Sequence, residues 1–281
     1  MSIHIIGASG RSGAALCRSL GVDGIPFVPV VRNAARWQAT GLPGAPRLAD
    51  LTDTQALREA LRGADMVVSC AHARHAGAII DAAPAQARFV FLGSTRKFTR
   101  WPDSHGLGVL AGEAAFSASG RAGIMLHPTM IYGAQGEDNV QRLAALLKKL
   151  LVVPLPNGGR ALVQPIHQDD VTACLRAALA DDWDRPETLV IAGPEPLSYA
   201  NFVRAVAHAA CLKPPRIVAV PAAPLRLAAW IASLLPFLPR IGADEIRRLT
   251  EDKAFSITAM RARLHVEPRT LADGLASIVW G

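Results

Sequence analysis

Gly7-Ala8-Ser9-Gly10-Arg11-Ser12-Gly13 lies directly between the apolar run Ile3, Ile5, Ile6 and the helix-spaced set Ala14, Leu16, Cys17, Leu20. That order is strand, glycine turn, helix. Such a turn lets the backbone come close to a pyrophosphate and aims unpaired helix N-terminal N–H groups at it, which points to a bound dinucleotide. A glycine triad alone is a weak signal. Here the preceding strand, the following helix and a second strand at Phe27 to Val31 give it the context the chemistry needs.

Working outward, apolar runs at Ile3 to Ile6, Phe27 to Val31, Met66 to Cys70, Phe89 to Leu92 and Gly123 to Leu126 alternate with helix-spaced segments. The alternation predicts an α/β chain with a doubly wound parallel sheet. Thr52-x-x-Gln55 reads as a capping box for a helix carrying Leu57, Ala60 and Leu61, and Val140, Leu143, Ala144, Leu147 and Leu151 mark a later helix. Beyond it the pattern changes to a turn (Pro154, Pro156, Asn157, Gly158, Gly159), a short strand at 161–166, and a helix from Val171 to Leu179 that Asp169 or Asp170 can cap. Another strand is expected at 187–193, followed by Phe202, Val203, Val206 and Ala210 at helical spacing. The predicted organisation is a dinucleotide-binding unit over 1–194, with 150–165 contributing to the substrate side, and a smaller, mainly helical substrate-side region over 195–281.

Composition bounds the function. The 281 residues are 51% hydrophobic, enough for a sizeable core. Cys17, Cys70, Cys174 and Cys211 are widely separated and form no CxxC pair, so they read as reduced, buried thiols with no disulfide framework and no metal site. A strand beginning at residue 3 leaves no room for a leader, and no apolar run has the length of a membrane span, so the expected location is cytoplasmic. The formal charge of +7 is dispersed rather than gathered into an aromatic-interleaved stripe, which argues against a nucleic-acid partner. The stretch Pro221 to Pro239 is apolar on nearly every side, with Arg226 inside it and Arg240 beside it as its only charges. It has three readings: a buried helix, a hydrophobic wall of the substrate cleft, or a peripheral face for a partner or membrane surface.

Five segments in order resemble the extended and atypical short-chain dehydrogenase/reductase superfamily, which includes sugar-nucleotide epimerases, NmrA-like sensors and an accessory subunit of respiratory complex I. They are Gly7-x-x-Gly10-x-x-Gly13, Asp50-Leu51, Phe91-Leu92-Gly93-Ser94, His127-Pro128-Thr129-Met130-Ile131-Tyr132-Gly133 and Pro165-Ile166-His167-Gln168-Asp169-Asp170-Val171. The resemblance implies a Rossmann-type fold with Gly7, Ser9, Gly10, Arg11, Ser12 and Gly13 around the pyrophosphate. It also implies Asp50 and Leu51 by the adenine, Ala71 along the cofactor and Pro128 bordering the nicotinamide. Ser94 takes the place of the catalytic serine, with Lys97 and Tyr132 on the substrate side.

The chain departs from that superfamily at its catalytic pair, a tyrosine and a lysine four residues apart on one helix face. The only tyrosines are Tyr132 and Tyr199, and neither has lysine at the fourth position after it. In the helix where the pair belongs, His105 aligns with the tyrosine and Val109 with the lysine. An imidazole near pKa 6.5 is suited to proton transfer, which makes His105 a second catalytic candidate beside Ser94. The arginine that grips a nucleotide-sugar diphosphate just before the matching His167 is also missing, replaced by Val163 and Gln164 with Arg160 displaced, which argues against such a substrate. After the second strand, where an acidic residue would hold the 2′-hydroxyl of NAD(H), stand Arg32 and, a helical turn on, Arg36, with Arg11 inside the glycine loop; guanidinium forks suit a 2′-phosphate, so NADP(H) is the expected cofactor, in preference to NAD(H). The leading reading is an oxidoreductase moving hydride to or from a small carbonyl, enoyl or quinone-like substrate; its rival is a non-catalytic redox sensor or scaffold, and nucleotide-sugar epimerase or dehydratase chemistry comes third.

Overall fold

A computed structural model describes residues 1–133, 139–150, 152–221, 223 and 243–280. Its strands are β1 (Ile3–Ile6), β2 (Phe27–Val31), β3 (Arg47–Leu48), β4 (Met66–Ser69), β5 (Arg88–Leu92), β6 (Gly123–Pro128), β7 (Ile131–Tyr132), β8 (Val152–Pro156), β9 (Leu162–Val163), β10 (Ile166–His167), β11 (Pro186–Ile191), β12 (Leu197–Ser198) and β13 (Arg216–Val220). Seven of them form one sheet in the order β11-β6-β5-β4-β1-β2-β3, with every neighbouring pair parallel. The chain starts at the centre, runs outward to β3, then crosses back to β4 on the other side of β1. That reversal opens a crevice at the carboxyl ends of β1 and β4, where open α/β sheets take their ligands.

The helices are α1 (Arg11–Val22), α2 (Ala34–Gln38), α3 (Thr54–Leu61), α4 (Ala76–Ala82), α5 (Ser104–Ser119), α6 (Asn139–Leu147), α7 (Gln168–Ala180), α8 (Tyr199–Ala209), α9 (Ala243–Arg248), α10 (Thr258–Leu264) and α11 (Leu271–Ala276). Strand alternation sorts the sheet into two faces. Val90, Leu92, Ile124 and Leu126 pack with Leu16 of α1, Leu175 of α7 and Met260 of α10. Phe89, Phe91 and Met125 pack with Leu57 of α3, Ile79 of α4 and Phe116 of α5. Each fully buried Leu, Ile or Phe stabilises this sandwich by roughly 1.5–3 kcal/mol. A further core joins Tyr132, Val140, Phe202, Val206 and Leu275, so α6, α8 and α11 close over the far end of the sheet.

Several local expectations are corrected. The cap of α3 is Asp53, whose carboxylate accepts the Gln55 and Ala56 N–H groups, while Thr52 instead donates its hydroxyl to Asp50. Helix α7 begins three residues earlier than expected because the His167 ring accepts the Asp169 N–H; Asp169 and Asp170 then fall in the first turn. The prolines at 154 and 156 sit within strand β8, which pairs with β13 and leaves the turn to 157–159. That pairing and the β9–β12 pair add two short strands to the 195–281 region, whose described regular structure is otherwise helical, in α8 to α11. Cys17 and Cys174 are buried and Cys70 half-buried, but Cys211 is exposed, past the end of α8. Leu151, and the Pro221 to Pro239 stretch apart from Pro221 and Ala223, lie outside the described residues. Among the described residues, no helix is long and apolar enough to cross a membrane and no cluster has the make-up of a metal site.

Candidate functional site

The turn after β1 is shaped by its glycines. Gly7 has φ +74, its N–H donates to Val30 O at 3.0 Å, and the Gly10 N–H donates back to Gly7 O at 2.8 Å. A Cβ on Gly13 would stand 2.2 Å from Gly7 O, so α1 can approach the strand exit only with glycine there. The α1 N-cap is Gly10, which supplies no side-chain cap, and the first turn contains no acidic residue. Its orphan N–H groups and the positive end of its dipole therefore meet an open cradle of backbone, a fit for a cofactor pyrophosphate. Ser9 lines this turn half-buried and Arg11 is exposed at its rim. Ser12 is turned inward: its hydroxyl donates to Gln168 Oε1 at 3.0 Å, tying the glycine turn to the start of α7.

Around the crevice the other expected cofactor residues take distinct positions. Arg32 is exposed just past β2, and Arg36 is exposed on α2, whose N-cap Asn33 accepts the Arg36 N–H. Asp50 accepts both the Thr52 N–H and the Thr52 hydroxyl, and these bonds, with Arg32 and His75 nearby, hold its carboxyl below the usual carboxylate range. Leu51 packs against the α3 side of the core. Ala71 follows β4 beside Gly7, close enough that a Cβ on that glycine would lie 3.1 Å from the Ala71 N. Pro128 is buried at the end of β6, where its carbonyl accepts the Thr95 hydroxyl at 3.1 Å.

The segment after β5 carries the catalytic candidates. Ser94 caps the 3-10 turn at Thr95–Phe98, its hydroxyl accepting the Arg96 N–H at 3.2 Å. His105 is half-buried in the first turn of α5, with its ring edge-on to His72 at 4.3 Å between centroids. Burial, then the nearby Arg96, lowers its pKa, so His105 is neutral near pH 7. Lys97 turns inward, its Nζ donating to Glu113 Oε2 at 2.5 Å. Tyr132 is buried against His167 and α11, with its hydroxyl where a Cβ on Gly274 would be, and burial pushes its phenol pKa up. Val109 is buried in the α5 face of the core.

Sequence reasoning missed the group that Lys97 joins. His127, on β6, has its Nδ1 3.2 Å from the Ser94 N and its Nε2 3.2 Å from Glu113 Oε2. The Ser94 N–H requires a bare Nδ1, so the ring proton sits on Nε2 and is donated to the carboxylate. Burial, then the Lys97 ammonium, lowers the His127 pKa to about 4. The one signal available was spacing: 105, 109 and 113 share an α5 face, and His127 immediately precedes the proline assigned to the cofactor.

Comparison with known proteins agrees with this geometry. Residues 7–116 match a family model described as NAD(P)H-binding. No curated protein sequence matches the chain. Among solved structures, the NADPH-dependent quinone oxidoreductase QOR2 of Escherichia coli, in complex with NADPH, superposes with a TM-score of 0.77 at 19% identity, covering 98% of each chain. A nucleoside-diphosphate-sugar epimerase from Staphylococcus aureus gives 0.72 at 18%, covering 98% of this chain and 100% of that one. The UDP-N-acetylglucosamine 4-epimerase of Bacillus cereus gives 0.71 at 13%, covering 98% and 94%. Residues 7–116 thus match the NAD(P)H-binding family model, and the chain as a whole has the Rossmann-like parallel-sheet fold of that quinone oxidoreductase and of the two epimerases.

Proposed function

We propose that the protein is an NADP(H)-dependent oxidoreductase of atypical short-chain type, acting on a small carbonyl, enoyl or quinone-like substrate. The observation that carries the reading is the glycine cradle at the sheet's switch point, with the uncapped α1 N-terminus facing it. The cofactor, when bound, supplies or accepts hydride. The chain's own part is to hold the phosphates on the 7–13 backbone, to place Arg32 and Arg36 where a 2′-phosphate would meet guanidinium forks, and to present His105 at the start of α5. The fold likeness to a quinone oxidoreductase supports the substrate class. The test is NADPH consumption by purified protein across a panel of quinones, enones and aldehydes. Tight NADPH binding with no turnover on any of them would reject it.

One observation favours the second reading, a cofactor-binding sensor or scaffold. The Ser94 hydroxyl accepts an internal cap bond and Lys97 is spent on Glu113, so two residues expected to face substrate have structural partners. Under that reading, NADPH and NADP+ binding should change a partner-binding property with no chemistry.

A further inference from the structure

We propose that Gln168, the first residue of α7, is a positioning residue for the cofactor pyrophosphate: it holds the first turn of α1 from behind, through the Ser12 hydroxyl. The proposal rests on the cofactor reading above, in which the 7–13 cradle is where that pyrophosphate lies.

Ser12 sits in the first turn of α1. The first helical bond there runs from Ala14 N–H to Gly10 O at 2.8 Å, so Ser12 belongs to the turn whose N–H groups lack helical partners and are left for an anion. Its side chain turns the other way, into the interior, and donates to Gln168 Oε1 at 3.0 Å. The direction of that bond is fixed by what lies behind it. Thr172 has one hydroxyl proton, given to Gln168 O at 3.0 Å, so its Oγ1 accepts from Gln168 Nε2 at 3.3 Å. That leaves Oε1 toward Ser12, and an amide oxygen has no proton to give. The Ser12 proton is therefore committed inward, and what this residue offers the cradle is its backbone N–H. Ser12, Gln168 and Thr172 are all buried, so a hydroxyl or amide stripped of its partner here is cut off from bulk water.

Gln168 is itself held in place. A Cβ on Gly133 would stand 3.1 Å from the Gln168 Cβ, and the N–H of the next residue, Asp169, donates to the His167 ring at 3.2 Å. Helices α1 and α7 share one core, in which Leu16 and Leu20 pack with Val171 and Leu175. Ser12 meets Gln168 at one end of the pair and Ser19 meets Arg176 at the other, so the two helices run parallel. At that second end Arg176 Nη1 donates to Ser19 O at 3.0 Å and Ser19 Oγ at 2.9 Å, and pairs with Asp23 at 2.5 Å. Helix α7 is thus a splint fastened to α1 at both ends, and the Gln168 end is the one that bears on the phosphate turn. Backbone N–H bonds to an anion are charge-assisted and weaken steeply when misaligned, so the tightness of this fastening sets how well the turn holds a pyrophosphate.

The experiment titrates wild-type protein, Ser12→Ala, Gln168→Leu, their double variant and Arg176→Ala with NADPH and with NADH by fluorescence, and compares melting temperatures. Gln168→Leu should weaken both cofactors alike, by about five-fold or more, because the pyrophosphate is common to them. Ser12→Ala should weaken both as well, and adding it to Gln168→Leu should change affinity by no more than about two-fold, since the bond is already gone. Arg176→Ala breaks the other end of the splint; it should lower the melting temperature and leave both affinities within about two-fold, a split that a purely structural role for Gln168 does not produce. If Gln168→Leu fails to fold, the smaller change Ser12→Ala decides. Unchanged affinity in Ser12→Ala, additive losses in the double variant, or an equal loss of affinity in Arg176→Ala overturns the proposal while leaving the cofactor reading in place. Wild-type protein that binds neither NADPH nor NADH removes the cofactor reading, and the proposal with it.

Discussion

A methyl group on Gly13 would occupy space 2.2 Å from a backbone oxygen, which no rotamer change can relieve, so α1 would have to back away from the strand exit. Gly13→Ala should therefore weaken NADPH binding at least ten-fold and lower the melting temperature, as read by fluorescence titration and thermal unfolding. Unchanged affinity would mean that the cradle is not the phosphate site. Arg32 makes a different kind of prediction, because it is exposed and its loss should leave the fold intact. Arg32→Ala should cut NADPH affinity about ten-fold, the worth of a charge-assisted bidentate contact, and leave NADH affinity within two-fold. Wild-type protein that binds NADH as tightly as NADPH would refute the 2′-phosphate assignment. At this scale the glycine turn was legible because it is contiguous: strand, turn and helix sit within residues 3 to 20. Lys97 was not, since nothing local tells a loop lysine facing substrate from one folded back 16 residues onto Glu113.

Helix α5 carries residues four apart along one face. His105, Val109 and Glu113 occupy one stripe, and the stripe is put to three uses: a neutral imidazole in the first turn, an apolar contact in the core, and a carboxylate that ties Lys97 to His127. His127 in turn accepts the Ser94 N–H, so α5, β6 and the segment after β5 are fastened through one ring. That ring gives the element a pH signature. In the folded chain His127 titrates near 4, against about 6.5 when unfolded, so as pH falls from 6.5 toward 4 the unfolded state takes up the proton first and stability drops. Above 6.5 the group contributes no slope. His72, also near 4, acts in the same direction. Urea midpoints should thus be flat for these groups from pH 7 to 8 and fall between 6.5 and 4.5, with a shallower fall in His127→Gln; a midpoint that rises on acidification contradicts the assignment. Ser94→Ala removes a cap bond and should cost about 1 kcal/mol of stability, whether or not turnover changes.

At the scale of the whole molecule, the first half of the sheet was legible because parallel strands buried on both faces read as apolar runs, and the observed strands fall where those runs are. The far end was less legible, because its order comes from contacts across about a hundred residues. Asp170 read as a helix cap from its place before an apolar helix, yet it is 5% exposed and accepts the Arg269 N–H at 3.1 Å and Nε at 3.0 Å. Arg269 also reaches Asp169 at 3.0 Å, so one guanidinium from the segment before α11 answers both carboxylates in the first turn of α7. The same helix start holds Gln168, the acceptor of the Ser12 hydroxyl, and α7 therefore links the glycine turn to the C-terminal segment. Removing one partner of a buried pair leaves an uncompensated charge, which costs more than the pair contributes. Arg269→Ala leaves the buried Asp170 short of a partner and should destabilise the chain by about 1–3 kcal/mol in urea unfolding at pH 7. The loss should shrink in the double variant with Asp170→Asn, which removes the stranded charge, and NADPH affinity should fall in the single variant through Gln168 and Ser12. A single variant as stable as wild type would show that the far end of the sheet is held by its apolar core of Tyr132, Phe202 and Leu275 alone, with the ion pair a bystander.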